Sequence, residues 1–141
     1  MEITGVDRMT PGKKRVTGCP IAYGLDTFGD RWSLLVIRDL MLNRRKTYQE
    51  FLQAGEGVAT NILADRLKHL ESEGIIAKSR DPDNRRSYIY SLTSKGHDLA
   101  PVIIEIVRWA GKYDTRAFAR KNVVEKIEKD RAALEAEMRT L

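Results

Sequence analysis

The residues of this chain suit hydrogen bonding to a polyanion better than covalent or metal chemistry. One cysteine (Cys19) and two histidines (His69, His97) are too few for a structural zinc site, which takes four N or S ligands. The glycine-rich phosphate loop, the dinucleotide fingerprint and the nucleophile elbow are all missing. No catalytic residue, cofactor or metal is therefore expected, and an enzyme is the least supported class. What remains is a polar surface. Asn61, Asp65 and Lys68 fall on one helical face, opposite Leu63, Leu67 and Leu70. Asparagine can read an adenine edge, and lysine a guanine edge or a phosphate. Thr60 and Ala64 border that face and are expected, with it, to contact bases or phosphates. Asp65 repels phosphate and is expected to orient a neighbouring cation. Arg66 is expected on phosphate, with an ion pair to Glu71 or Asp39 as the alternative. Two basic clusters, Arg44-Arg45-Lys46 and Arg85-Arg86, add further phosphate-binding candidates.

Those residues need elements to position them. Residues 1–18, with Pro11-Gly12, read as a flexible basic tail. Cys19-Pro20 then opens a helix, with Cys19 as N-cap and proline at the first helical position. Ile21, Leu25 and Phe28 give it one apolar face. Gly29 ends it, and Asp30 caps a second helix whose run from Trp32 to Leu42 is apolar almost all round, as in the middle of a core. Thr47 and Glu50 form a capping box ahead of a short helix over 48–53. A turn containing Gly55 and Gly57 leads to an amphipathic helix over 58–73, stopped by Gly74.

The period then changes to two. Residues 75–80 and 87–92 read as strands joined by Asp81-Pro82-Asp83-Asn84, a hairpin with Arg85 and Arg86 near its tip. Thr93 caps the next helix, which Pro101 should kink or break. Leu99, Ile103, Ile106, Ala110 and Tyr113 follow helical spacing. A last helix over 122–141 places Val124, Ile127, Leu134, Met138 and Leu141 on one stripe, interrupted by Arg131. That stripe looks too long for a small core to cover. A partner helix from a second copy is expected on it and on Trp109 and Tyr113.

Length and composition agree with a single globular domain. The 141 residues are 42% hydrophobic and 32% charged, with a net charge of +5 that sits in short clusters rather than one block. No apolar run reaches the ~18 residues of a membrane span, and no secretory leader is read at the N-terminus. A reduced, cytoplasmic setting is the expectation for a chain with one cysteine.

The expected fold is mainly α with a small antiparallel β-hairpin wing. It is a winged helix-turn-helix over 19–113, with a dimerisation segment over 114–141 and N- and C-terminal helices forming a homodimer interface. At this point the sequence resembles the HxlR-type regulators, relatives of the MarR-type winged-helix proteins. Cys19-Pro20, the run from Gly29 to Leu40, the run from Asn61 to Glu71, the run from Tyr90 to Gly96, and Trp109 carry the resemblance. It implies a homodimer that binds double-stranded operator DNA and regulates transcription. Ala59 stands where such proteins often carry a capping serine, so the start of that helix is open by a residue or two. Some members use a cysteine at the position of Cys19 to sense oxidants or electrophiles. A thiolate there would face free N–H groups and the positive end of the helix dipole. A structural cap is the alternative. An electrophile or small-molecule effector is left open. The competing reading of the whole is a winged-helix protein-interaction module that does not touch DNA.

Overall fold

The computed structural model describes residues 17–114, 116 and 121–140. The expected tail lies almost wholly outside the described residues, as does Leu141. Capping chemistry sets most helix starts. Pro20 opens α1 (Pro20–Phe28), where a missing N–H leaves no helical bond unmade. The Asp30 carboxylate accepts the Ser33 N–H at 2.9 Å and starts α2 (Arg31–Leu42). Thr47 and Glu50 bond reciprocally ahead of α3 (Tyr48–Leu52). Thr47→Ala leaves the Glu50 N–H without its acceptor. We expect it to cost about 1 kcal/mol, read as a lower urea midpoint with an unchanged slope.

The helix expected over 58–73 is α4 (Thr60–Ser72), and Ala59 is its N-cap. Having no polar side chain, Ala59 makes no capping bond, and the helix starts two residues late. Gly74, at φ 74°, turns the chain into β1 (Ile76–Arg80), which pairs antiparallel with β2 (Tyr88–Leu92). Ile76 lies opposite Leu92, and Arg80 opposite Tyr88. Beyond Thr93, Pro101 falls in the first turn of a new helix. The segment is therefore broken into α5 (Ser94–His97) and α6 (Ala100–Tyr113). The last element is α7 (Lys121–Arg139).

Ile37 and Met41 of α2, Leu63 and Leu70 of α4, Ile75, Ile76 and Ile104 form the centre of the core. The C-terminal stripe joins it. Ile127, Leu134 and Met138 are buried within the same chain, and Val124 packs against Gly111 of α6. The expectation that Ile127, Leu134 and Met138 await a partner helix is corrected on this point. The physical reason is a break. Asp130 leaves helical geometry (φ −159°, ψ 88°), and its carboxylate accepts the Ala133 N–H at 3.1 Å. The two arms of α7 fold toward each other, bringing Lys126 within 3.9 Å of Glu137, a pair too far apart in sequence to meet on a straight helix. Arg131, which interrupts the stripe, reaches across to Glu105 of α6.

One buried carboxylate fixes the exit from α2. Asp39 is 3% exposed. It accepts bonds from Arg38 Nε at 3.0 Å, Asn43 Nδ2 at 2.8 Å and Arg45 Nη1 at 3.0 Å. The Arg45 N–H also donates to the Asp39 carbonyl. A buried charge is tolerated where it is paired and hydrogen-bonded in this way. The loop after α2 is then tied to the hairpin, where the Tyr90 N–H donates to the Lys46 carbonyl at 2.8 Å.

Candidate nucleic-acid interface

A helix can enter a major groove only if it is held by one face and free on the other. Here α4 is held by Leu63, Leu67 and Leu70, all buried. Three polar ties fix its angle. The Tyr48 hydroxyl donates to the Thr60 carbonyl at 2.9 Å and joins α3 to the start of α4. His69 Nε2 donates to the Thr27 carbonyl at 3.0 Å, and Arg66 Nη1 reaches Asp30 at 3.4 Å. Both of the latter tie α4 to the α1–α2 junction.

The opposite face is free. Thr60, Asn61, Ala64, Asp65 and Lys68 are all exposed. Because Ala59 supplies no cap, the first-turn N–H groups of α4 also lack a side-chain acceptor, which suits a phosphate at the positive end of the helix. Asp65 does not stand as a bare carboxylate. It is bonded to Arg66, whose guanidinium holds it below the usual aspartate range.

Arg66 differs from expectation. Its partners are Asp65 and Asp30, not Glu71 or Asp39. Asp39 is already occupied by Arg38, Asn43 and Arg45, and Asp30 comes from a junction thirty-six residues away. The Asp65 bond raises the Arg66 guanidinium further above its ordinary value. Burial works to raise Asp30. The Ser33 bonds and Arg66 outweigh it and hold the carboxyl below its ordinary value. A carboxyl depressed on folding adds stability above its unfolded pKa, and that stability is lost as pH falls through the folded one.

The hairpin flanks this face. Arg85 and Arg86 are exposed and carry no ion pair among the described residues. The turn that presents them is built by Asp81, which accepts the Asp83 N–H, and Asn84, which accepts the Arg86 N–H. Arg80 Nη1 donates to the Arg85 carbonyl at 2.6 Å. The sequence reading missed two more cations. Lys78 and Arg80 sit over the Tyr88 ring, at 4.7 and 4.9 Å from its centre. Strand alternation puts 78 and 80 on one face, so the signal was present. Arg44 and Lys46 are exposed on the loop after α2, with the Lys46 charge acting on the Glu50 carboxylate, whereas Arg45 is taken by Asp39.

Away from this surface, large apolar side chains are exposed: Ile21 and Leu25 on α1, and Ile106, Trp109 and Tyr113 on α6. Trp109 and Tyr113 stack with ring centres 5.4 Å apart. Cys19 is the N-cap of α1 and half-buried, and its side chain makes no capping bond. No cluster that could hold a metal ion occurs among the described residues, and none of their helices is long and apolar enough to cross a membrane.

A family model described as HxlR-like helix-turn-helix matches residues 27–118. The chain is 40% identical over 86 residues to the HTH-type transcriptional regulator sll1512 of Synechocystis, covering 61% of this chain and 63% of that protein. The match thus spans a little under two thirds of that relative's own length. Identity to the HTH-type transcriptional regulator YvaP of Bacillus subtilis is 34% over 101 residues, covering 71% of this chain and 93% of YvaP. Among solved structures, the redox regulator HypR in its oxidized form superposes with a TM-score of 0.60 at 25% identity, covering 67% of this chain and 96% of HypR. The docked helix pair, the hairpin beside it and the matched span agree: this chain belongs to the HxlR-like helix-turn-helix family of transcriptional regulators.

Proposed function

We propose that the protein is a homodimeric, sequence-specific regulator that acts in the cytoplasm by binding operator DNA and not by catalysis. In this reading α4 enters the major groove. Asn61 and Lys68 meet base edges, Thr60 and Ala64 border them, and Arg85, Arg86, Arg44 and Lys46 contact phosphates. The observation that carries it is the free polar face of α4 beside Arg85 and Arg86, exposed cations that have no ion pair among the described residues. The two classes of contact separate by experiment. Anisotropy titrations on DNA flanking the protein's own gene should show Arg85→Ala weakening all sequences alike and lowering the salt slope by about 1. Asn61→Ala should instead cost about 1–3 kcal/mol of base preference at one position. Salt-independent binding, or retention of a protein partner with no shift of DNA, would favour an interaction module instead.

A second reading concerns Cys19. Its half-buried position at the head of α1 supports a thiol switch, as does the likeness to a protein named a redox regulator. With one cysteine in the chain, oxidation gives a sulfenic acid, a mixed disulfide or a disulfide between subunits. Diamide is expected to change operator affinity in the wild type and not in Cys19→Ser. Equal responses would make Cys19 a structural cap.

A further inference from the structure

The hairpin is held at its two ends by different means. Strand alternation places Ile76, Lys78 and Arg80 of β1 and Tyr88, Tyr90 and Leu92 of β2 on one face. At the base of that face Ile76 and Leu92 are buried in the core. In the middle, Tyr90 packs on Phe51 with ring centres 6.0 Å apart. Toward the tip the core runs out. Lys78 and Arg80 are exposed, and so are Arg85 and Arg86 in the turn beyond them.

Backbone bonds close that turn. The Asp81 N–H donates to the Ser87 carbonyl at 3.0 Å, and the Ser87 N–H to the Asn84 carbonyl at 2.9 Å. Neither involves Arg85, whose carbonyl takes no backbone N–H among the described residues. Its partner is a side chain. Arg80 Nη1 donates to it at 2.6 Å, a short bond strengthened by the guanidinium charge. Arg80 is steadied in turn by its cross-strand partner Tyr88, with the guanidinium 4.9 Å from the ring centre. Lys78 lies 4.7 Å from the centre of the same ring. Tyr88 thus supports at the tip what the core supports at the base. A contact ordered before binding loses less freedom when the complex forms.

We propose that Arg80 and Tyr88 form a clamp on the backbone of Arg85, and that Arg80 is a positioning residue that raises DNA affinity by acting through Arg85. The effect on DNA rests on the DNA-binding reading above; the clamp itself does not.

Amide relaxation of the DNA-free protein tests the clamp. Order parameters at residues 84–86 should be about 0.85 in the wild type and below about 0.6 in Arg80→Met and Tyr88→Leu. Tyr88→Phe, which restores the ring, should restore the order. Ile76 and Leu92 should stay rigid in every variant. The clamp is overturned if residues 84–86 stay ordered in Arg80→Met or Tyr88→Leu. It is also overturned if Ile76 and Leu92 loosen with them, since the whole hairpin would then have been weakened.

On DNA flanking the gene, Tyr88→Leu is the sharpest variant because it removes no charge. It should lower affinity about tenfold and the salt slope by about 1, as Arg85→Ala does, and Tyr88→Phe should restore both. Arg80→Met should cost about tenfold in the wild type and less than about twofold when added to Arg85→Ala. A further tenfold loss there would make Arg80 a phosphate contact in its own right. Tyr88→Phe as weak as Tyr88→Leu would make the Tyr88 hydroxyl the contact. Either result removes the positioning role. If the protein binds no DNA, relaxation still decides the clamp; if the clamp fails, Asn61→Ala and Arg85→Ala still decide DNA binding.

Discussion

Gly96→Ala is expected to destabilise the chain by about 3 kcal/mol or more, enough to unfold much of a marginal domain. The reason is a backbone contact. A Cβ at Gly96 would stand 2.2 Å from the Ile75 carbonyl oxygen and 2.9 Å from the Leu92 side chain. That carbonyl also accepts the Thr93 N–H, so it cannot turn aside without opening the base of the hairpin. Gly55→Ala is the control. Gly55 sits at φ 89° with nothing near its missing Cβ, so it should cost only the left-handed strain, about 1–2 kcal/mol. Urea midpoints of the two variants check the difference. Similar losses would mean that α5 and the start of β1 separate easily.

The second large effect concerns assembly. Ile106→Glu should leave the monomer folded, because Ile106 is 44% exposed in a single chain. It should nevertheless cost operator affinity about 100-fold or more, the loss expected when two linked half-site contacts become one. Ile106 and Trp109 line a shallow apolar groove of about 520 Å³ with Pro101 and Val102, and Trp109 is 66% exposed. An exposed apolar surface of this kind marks an interaction site. Sedimentation should show a monomer with an unchanged circular dichroism spectrum. A dimer of full affinity would move the interface elsewhere.

These two positions also show what a sequence can and cannot reveal. Local chemistry was legible. The Asp30 cap, the Thr47–Glu50 box, the turn at Asp81-Pro82-Asp83-Asn84 and the break before Pro101 are decided within a few residues, and each occurs as expected. The buried leucine face of α4 was legible for the same reason. Long-range choices were not. Lys129-Asp130-Arg131 contains no helix breaker, yet the helix breaks there, because the two arms can then bury Ile127, Leu134 and Met138 on the chain's own core. Tertiary packing overrides propensity at that point. The Arg66–Asp30 pair was not legible, because the two residues are adjacent only in the fold. Trp109 and Tyr113 are, by contrast, exposed, and nothing among the described residues covers them.

The most direct measurement is hydroxyl-radical footprinting of the protein on DNA flanking its gene. Two copies of α4 in successive major grooves should give two protected patches centred about one helical turn, roughly 34 Å, apart. Asn61→Ala should weaken protection at the centre of each patch, and Arg85→Ala should weaken it at the flanks. A single patch, a spacing unrelated to the helical repeat, or unprotected DNA at saturating protein would contradict a dimer that reads duplex through this helix.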